Sequence, residues 1–291
     1  MRNKIRTNIF YHGDCVNILE KYPNNCIDLV FTSPPYAEKR KNLYEGMPHD
    51  KYVKWFLPIA DQLFRILKAN GSFILNIKEN VMNGERQTFV LELILELKKK
   101  GWLWIEEYCW YKKNSYPGKW RNRFRDAWER CFHFTKNKHF KMYQDTVKVP
   151  IGDWAKERFK SMTERDFIRS VSGTNKIFGR KVSNWLNKKK VYPHNVVVFE
   201  KEYYVETTNV IRLPTECKNR NHPAAFPIEL PSWFIKLFTK KDDVILDPFM
   251  GRGTTALASI LLDRRYIGIE IVKEYIEEAK KNIEEIKNLK K

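Results

Sequence analysis

Apolar residues in this chain come in two spacings, and the alternation between them sets the expected fold. Ile9 to Tyr11 and Ile27 to Phe31 are short continuous runs of the kind carried by buried strands, separated by a helical stretch around Val16 to Lys21. From about Tyr52 to Lys68, Trp55, Phe56, Ile59, Leu63, Ile66 and Leu67 recur at close to helical spacing. Asn70-Gly71 reads as the end of that helix, with Ser72 to Ile77 as the next strand. A helix over about Arg86 to Lys100 stops at Gly101, and strands follow near Trp104 to Tyr111 and Arg130 to Thr135. Such alternation predicts an α/β fold, a parallel sheet with helices on both faces.

The alternation lapses from about Asn137 to Arg220, where the chain is basic, aromatic and loop-rich, with isolated strand-like pieces such as Val196 to Phe199. It returns with Val244 to Asp247 as a strand, Thr254 to Leu262 as a helix, Tyr266 to Glu270 as a strand and Lys273 to Ile286 as a helix. Three parts are therefore expected: residues 1–136, an inserted or appended module at 137–220, and residues 221–291.

Charge narrows the choice of partner. The 291 residues carry 54 Lys and Arg against 35 Asp and Glu, a net charge of +19. An excess this large points to a polyanion, nucleic acid first; a lysine-rich surface that merely solvates the protein is the alternative. The five cysteines (Cys15, Cys26, Cys109, Cys131, Cys217) show no C-x-x-C spacing, and the six histidines form no ligand cluster, so neither a metal site nor a disulfide framework is expected. A reducing cytoplasm suits that usage. Met1-Arg2-Asn3-Lys4 leads into a polar segment, and no apolar run is long enough to span a bilayer, so no membrane partner is expected.

Two motifs carry candidate chemistry. Thr32-Ser33-Pro34-Pro35-Tyr36 directly follows the strand at Ile27 to Phe31. Two successive prolines fix φ and remove two N–H donors, so the turn presents carbonyls, a hydroxyl and an aromatic face. That set suits a flat base bearing an exocyclic amine; an ordinary Ser-Pro-Pro surface turn is the plain alternative. Far downstream, Asp247-Pro248-Phe249-Met250-Gly251-Arg252-Gly253-Thr254-Thr255 joins a strand, a glycine turn and a helix start. Gly251 and Gly253 allow close backbone approach, Thr254 or Thr255 can cap the helix, and its N-terminus can receive an anion such as a carboxylate. Glu270 ends the following strand, where an acid can accept from ribose hydroxyls. The run is neither a P-loop nor a G-x-G-x-x-G fingerprint, and a tight turn without ligand is its plain reading.

Together the two motifs resemble the β group of DNA amino-methyltransferases, in which the catalytic motif precedes the cofactor motif. The resemblance covers most of the chain and implies a Rossmann-like, S-adenosylmethionine-dependent methyltransferase fold: a mostly parallel, doubly wound sheet with a terminal antiparallel hairpin and a target-recognition region, here 137–220. It implies Ser33, Pro34, Pro35 and Tyr36 as the catalytic, amine-holding turn. Asp14 and Cys15, in Gly13-Asp14-Cys15, resemble the segment near the cofactor's adenine. His222, Pro223 and Phe226, in His-Pro-Ala-Ala-Phe-Pro, resemble the motif that helps close the cofactor pocket. Thr32, Asp247, Pro248, Phe249, Gly251, Gly253, Thr254, Thr255 and Glu270 complete the implied cofactor set. Arg252 departs from the family pattern, which more often has a small serine; it could pair with a cofactor carboxylate or a phosphate.

An exocyclic amine is a poor nucleophile because its lone pair is delocalised into the ring. Acceptors placed around it, here the Ser33 hydroxyl and the carbonyls of Ser33 or Pro34, stabilise charge that develops on the nitrogen, while Tyr36 stacks on a flipped base. A C5-cytosine mechanism needs a thiolate, usually after proline, and none of the five cysteines follows one. In the family, Ser-Pro-Pro-Tyr usually accompanies N4-cytosine and Asp- or Asn-Pro-Pro-Tyr usually accompanies N6-adenine. The resemblance thus implies N4 methylation of cytosine in duplex DNA, by a monomer or homodimer that serves beside a cognate restriction endonuclease. N6-adenine methylation and non-catalytic DNA binding are the alternatives.

For DNA contact the sequence offers Lys112, Lys113, Lys119, Arg121, Arg123 and Arg125, interleaved with Tyr116, Trp120 and Phe124. A solvated loop with its aromatics packed inward would look the same. Arg180, with Arg165, Arg169, Asn175, Lys176, Asn184 and Asn187, is available to read base edges.

Overall fold

Side chains within a strand alternate between its faces, and here the alternation sorts apolar residues into two helical layers. The computed structural model describes residues 5–37, 47–112, 122–124, 126–151, 157, 160–161, 189–193, 211–213 and 226–289. Its main strands are β1 (Ile9–His12), β2 (Ile27–Thr32), β3 (Leu67–Ile77), β4 (Leu103–Lys112), β5 (Trp128–Thr135), β6 (Ile211–Leu213), β7 (Val244–Asp247) and β8 (Arg265–Glu270). The helices are α1 (Cys15–Leu19), α2 (His49–Ile66), α3 (Phe89–Lys99), α4 (Glu229–Phe238), α5 (Thr254–Leu261) and α6 (Lys273–Leu289). Val30, Phe73, Leu75, Val244 and Leu246 pack with α1, α2 and α3. Leu29, Phe31, Ile74 and Ile245 pack with α4 and α5 on the opposite face.

The sheet runs β1-β8-β7-β2-β3-β5-β4-β6. Its pairs are parallel except where β5 lies antiparallel between β3 and β4. The expected antiparallel hairpin is this β4–β5 pair, with the short β6 adding a parallel strand outside it. Chain direction across the sheet reverses between β2 and β7, since β2 leads toward β3 and β7 toward β8. A crevice opens at the carboxyl ends of strands at such a switch point. Thr32 and Asp247 are the terminal residues of these two strands.

Three expectations change. Asn70-Gly71 is not the end of α2, which stops at Ile66; β3 starts at Leu67 and carries an irregularity before regular pairing resumes at Ser72. A Cβ on Gly71 would stand 2.8 Å from the Asp28 carbonyl oxygen, so this close approach needs glycine. Second, Glu229–Phe238 adds a helix, α4, that has no counterpart among the sequence expectations. Pro231 falls in its first turn, where a missing N–H costs nothing, although a proline reads as a breaker. Third, the composition shift at 137 is not the edge of the packed core. The Lys141 and Tyr143 amides bond to Asn70 and Leu237, and Val147 is buried against the α4 layer. Farther on, β6 joins the sheet, while Val196 to Phe199 lies outside the described residues. Among the described residues, no helix is long and apolar enough to cross a membrane.

Lys141 also explains a buried charge. Asp28 on β2 has a fully buried side chain, with Lys68 at 2.7 Å, Lys141 at 2.9 Å and the Val244 amide at 3.0 Å. Burial alone would raise its pKa, but the bonds to Lys68, Val244 and Lys141 hold it below the usual aspartate range. Because the folded value is depressed, this contribution is fully present above the unfolded aspartate pKa, about 3.9. It disappears as pH falls through the lower folded value. Asp28→Asn is expected to cost about 3 kcal/mol at neutral pH, since both lysines retain some water contact. The deficit relative to the unsubstituted protein should shrink below about pH 4. Denaturant unfolding at pH 7 and at pH 3.5 measures both.

Candidate active site

Where β2 and β7 end, one buried carboxylate joins both motifs. Asp247 accepts the Thr32 hydroxyl on Oδ1 at 2.7 Å and the Thr255 hydroxyl on Oδ2 at 2.7 Å. The Phe249 amide adds a third bond to Oδ1, at 3.1 Å. All three side chains on these two 2.7 Å bonds are buried. Burial pushes the Asp247 carboxyl up to about 6, against the downward pull of its donors. Sequence reasoning placed Thr32, Asp247 and Thr255 around the cofactor. The structure brings them together, but with their side chains turned to one another.

The glycine turn forms the floor. Gly251 and Gly253 have φ of +52° and +83°, in the left-handed region that suits glycine. A Cβ on Gly253 would meet the Ala279 Cβ at 2.9 Å, whereas one on Gly251 would meet nothing within 4 Å. The space above Gly251 is therefore open. Gly253 is the N-cap of α5 and brings no capping side chain; Thr255, one of the two expected caps, uses its hydroxyl on Asp247. The first amides of α5 are thus left for a partner other than a cap. Pro248 is buried, and the Phe249 ring lies 5.6 Å from Trp55 of α2.

Glu270 ends β8 beside this turn. Its Oε2 accepts from the Gly251 amide at 2.9 Å, and its Oε1 accepts from the Ile271 and Val272 amides at 2.9 Å each. A carboxylate offers about four lone-pair sites, so capacity remains for a hydroxyl donor. Burial raises its pKa although these amides oppose the shift. Gly13 lies next to it, with its amide on the Glu270 carbonyl at 3.0 Å. Asp14 is exposed and caps α1 by accepting from the Asn17 amide at 3.1 Å. Cys15 is buried, and burial pushes its thiol up to about 12, which makes it an inert packing group. Arg252 turns away toward α6, pairing its Nε with Glu278 at 2.5 Å.

The proline turn forms the opposite wall. The Thr32 hydroxyl ties it to Asp247, and the buried Tyr52 of α2 donates to the Pro35 carbonyl at 2.9 Å. The Tyr36 hydroxyl donates to Glu129 on β5 at 2.7 Å. Burial and the neighbouring Glu129 charge push the Tyr36 phenol well above its ordinary pKa. Neither Tyr52 nor Glu129 is among the site residues expected from sequence: Tyr52 enters only as the start of a helix, and nothing local marks Glu129.

The remaining expected residues divide. Phe226 packs edge-on to Phe31 with ring centres 5.3 Å apart, behind the crevice strand. Lys112 is ion-paired to Glu129, and Arg123 stands 3.7 Å from Asp126. Lys113, Lys119, Arg121, Arg125, Arg180, His222 and Pro223 lie outside the described residues. Among the described residues, no group of three His, Cys, Asp or Glu could hold a metal ion.

The chain is similar in sequence and fold to known proteins. A family model described as DNA methylase, covering N6 and N4 enzymes, matches residues 27–281. The type II methyltransferase M.PvuII of Proteus hauseri is 28% identical over 278 residues, covering 91% of this chain and 80% of its own length. The solved structure titled PvuII DNA methyltransferase (cytosine-N4-specific) superposes with a TM-score of 0.66 at 24% identity, over 93% of this chain and 84% of that one. The M1.HpyAVI–SAM complex gives 0.58 at 21% identity, over 94% of this chain and 98% of that one. With the family match spanning both walls of the crevice, the chain belongs to the DNA methylase family.

Proposed function

We propose that the protein transfers a methyl group from S-adenosylmethionine to the exocyclic N4 amine of a cytosine flipped out of duplex DNA. The observation that carries this reading is the Asp247 clasp, which brings the Ser33-Pro34-Pro35-Tyr36 turn and the glycine turn into one crevice. A neighbour solved with S-adenosylmethionine supports the cofactor, and the open space over Gly251, the amides of α5 and the spare capacity of Glu270 fit a nucleoside bearing an amino-acid carboxylate. Glu270 would hold the ribose hydroxyls, α5 the carboxylate, and Asp14 would border the adenine. When bound, the cofactor supplies an electrophilic methyl on a sulfonium.

The chain's own part is placement. With the Pro35 carbonyl held by Tyr52, the Ser33 hydroxyl and the carbonyls of Ser33 and Pro34 accept hydrogen bonds from the amine. They are set before charge develops, so stabilising it needs little reorganisation at the moment of transfer. Fixing amine and methyl at near-attack distance supplies the rest of the acceleration. Serine as the first letter of the turn, together with the M.PvuII-like neighbours, supports cytosine; adenine is the alternative within a family that spans both.

Around the crevice, the basic stretch would hold DNA phosphates. Phe124 is 95% exposed, which supports an outward, base- or backbone-facing role over inward packing. Lys112 leaves that set, because its ammonium serves buried Glu129. Residues 137–147 are tied to the sheet and α4 by the Lys141 and Tyr143 amides and by buried Val147, so target recognition falls to the part of 137–220 beyond them, Arg180 included. Likeness to a type II methyltransferase supports work beside a restriction endonuclease of the same site, in the cytoplasm where the genome lies.

Incubation with duplex DNA and S-adenosylmethionine, followed by mass spectrometry of nucleosides, is expected to give N4-methylcytosine. N6-methyladenine alone would overturn the base assignment, and no methylated base would overturn the reading. Ser33→Ala is expected to lower kcat by roughly 10²- to 10³-fold in steady-state kinetics, as loss of one charge-stabilising acceptor should. Its cofactor Kd by calorimetry should be unchanged. Asp247→Asn, by contrast, offers one acceptor oxygen to three donors. It should weaken cofactor binding by about tenfold or more as well as slow transfer, and equal cofactor affinity would count against the clasp.

A further inference from the structure

Beside the amine-holding turn lies a buried pair of charges that the chemistry above leaves unused. Glu129 on β5 is 4% exposed, and a carboxylate so far from water persists only where its charge is balanced. Lys112 of the adjacent β4 donates to its Oε1, and the Tyr36 hydroxyl donates to its Oε2 at 2.7 Å. Lys78, just past β3, adds positive potential and is itself paired with Asp126 at 3.1 Å. Arg86 ties Asp126 and Glu79 into the same surround, at 2.9 Å and 3.0 Å. Burial opposes ionisation of Glu129, but Lys112, the Tyr36 bond and Lys78 prevail and keep its pKa below the usual glutamate value.

Stacking on a base requires only the ring of Tyr36, so the bond to a buried carboxylate does something else. It fixes the tilt of the ring, which a phenylalanine would leave to packing. The neighbouring Ser33 hydroxyl pulls the phenol's pKa downward against burial and Glu129, the sense expected of a donor at the phenol oxygen. With its own hydrogen engaged by Glu129, the phenol oxygen is left to accept, and Ser33 is the hydroxyl beside it in the turn. A Ser33 hydroxyl that donates to Tyr36 would keep its lone pairs for an amine N–H.

We propose that Glu129, held by Lys112, is a positioning residue for the target base: through Tyr36 it sets the stacking ring and the direction of the Ser33 hydroxyl. The inference rests on the reading of this turn as the amine-holding site. It would place the first determinant of base orientation on β5, nearly a hundred residues after the motif it serves.

A double-mutant cycle of Tyr36→Phe and Glu129→Gln tests it, with steady-state kinetics on duplex DNA and cofactor Kd by calorimetry. Each single variant is expected to lose roughly 10- to 100-fold in kcat, as misplacement of a reacting group does, while cofactor Kd stays within about twofold. The double variant should be no slower than the slower single variant, because both changes break one chain of contacts. Multiplicative losses, or an unchanged kcat in either single variant, would overturn the proposal. If Glu129→Gln does not fold, Tyr36→Phe decides alone, since it leaves the Glu129–Lys112 pair in place: full kcat refutes, and a kcat loss at constant cofactor Kd supports. An inactive unsubstituted protein would instead refute the methyltransferase reading itself.

Discussion

The site depends on the two hydroxyl bonds accepted by Asp247. A single buried carboxylate takes Thr32 from the proline turn and Thr255 from the first turn of α5, segments more than two hundred residues apart in the chain. Neither wall of the crevice is self-supporting. The proline turn lacks two amide donors and cannot brace itself through its own backbone, and α5 begins at a glycine with no side-chain cap. A carboxylate with several acceptor sites can hold both at once, and a low-dielectric surround strengthens each bond.

Charge burial recurs through the fold with a consistent logic. At the amino ends of the strands, Asp28 gathers lysines from β3 and from the segment after β5, locking the sheet's centre. At the opposite edge, where the parallel strands end and antiparallel β5 begins, Asp247, Glu270 and Glu129 each tie a turn in place. The first group works on stability alone. The second lies where a cationic cofactor and a developing positive amine would be brought together, so its negative charge also suits the proposed reaction.

Much of this was legible in the sequence. Strand and helix alternation fixed the expected layers because each run keeps a single period, and the glycine turn was legible because left-handed backbone leaves few alternatives to glycine. What stayed hidden depends on contacts between distant residues. Asn70-Gly71 has the chemistry of a helix stop but occupies a strand irregularity, since Leu67 already pairs with Ile27. Pro231 masked α4. Thr255 looked like a helix cap until Asp247 claimed its hydroxyl. Lys112 sits in a basic, aromatic stretch indistinguishable by composition from a phosphate-binding loop, yet its strand register faces it toward Glu129. Local patterns reveal elements; the partner of a charged side chain is a property of topology.

The central claim is that one crevice at the β2–β7 switch point holds both substrates. A crystal structure of the protein with S-adenosylhomocysteine and a duplex containing its methylation site tests it most directly. The expected result is a flipped cytosine on Tyr36 with its amine on the Ser33 hydroxyl, and the cofactor product between Glu270 and α5. A base or cofactor bound elsewhere, or an Asp247 that no longer touches Thr32 and Thr255 in the complex, would contradict it.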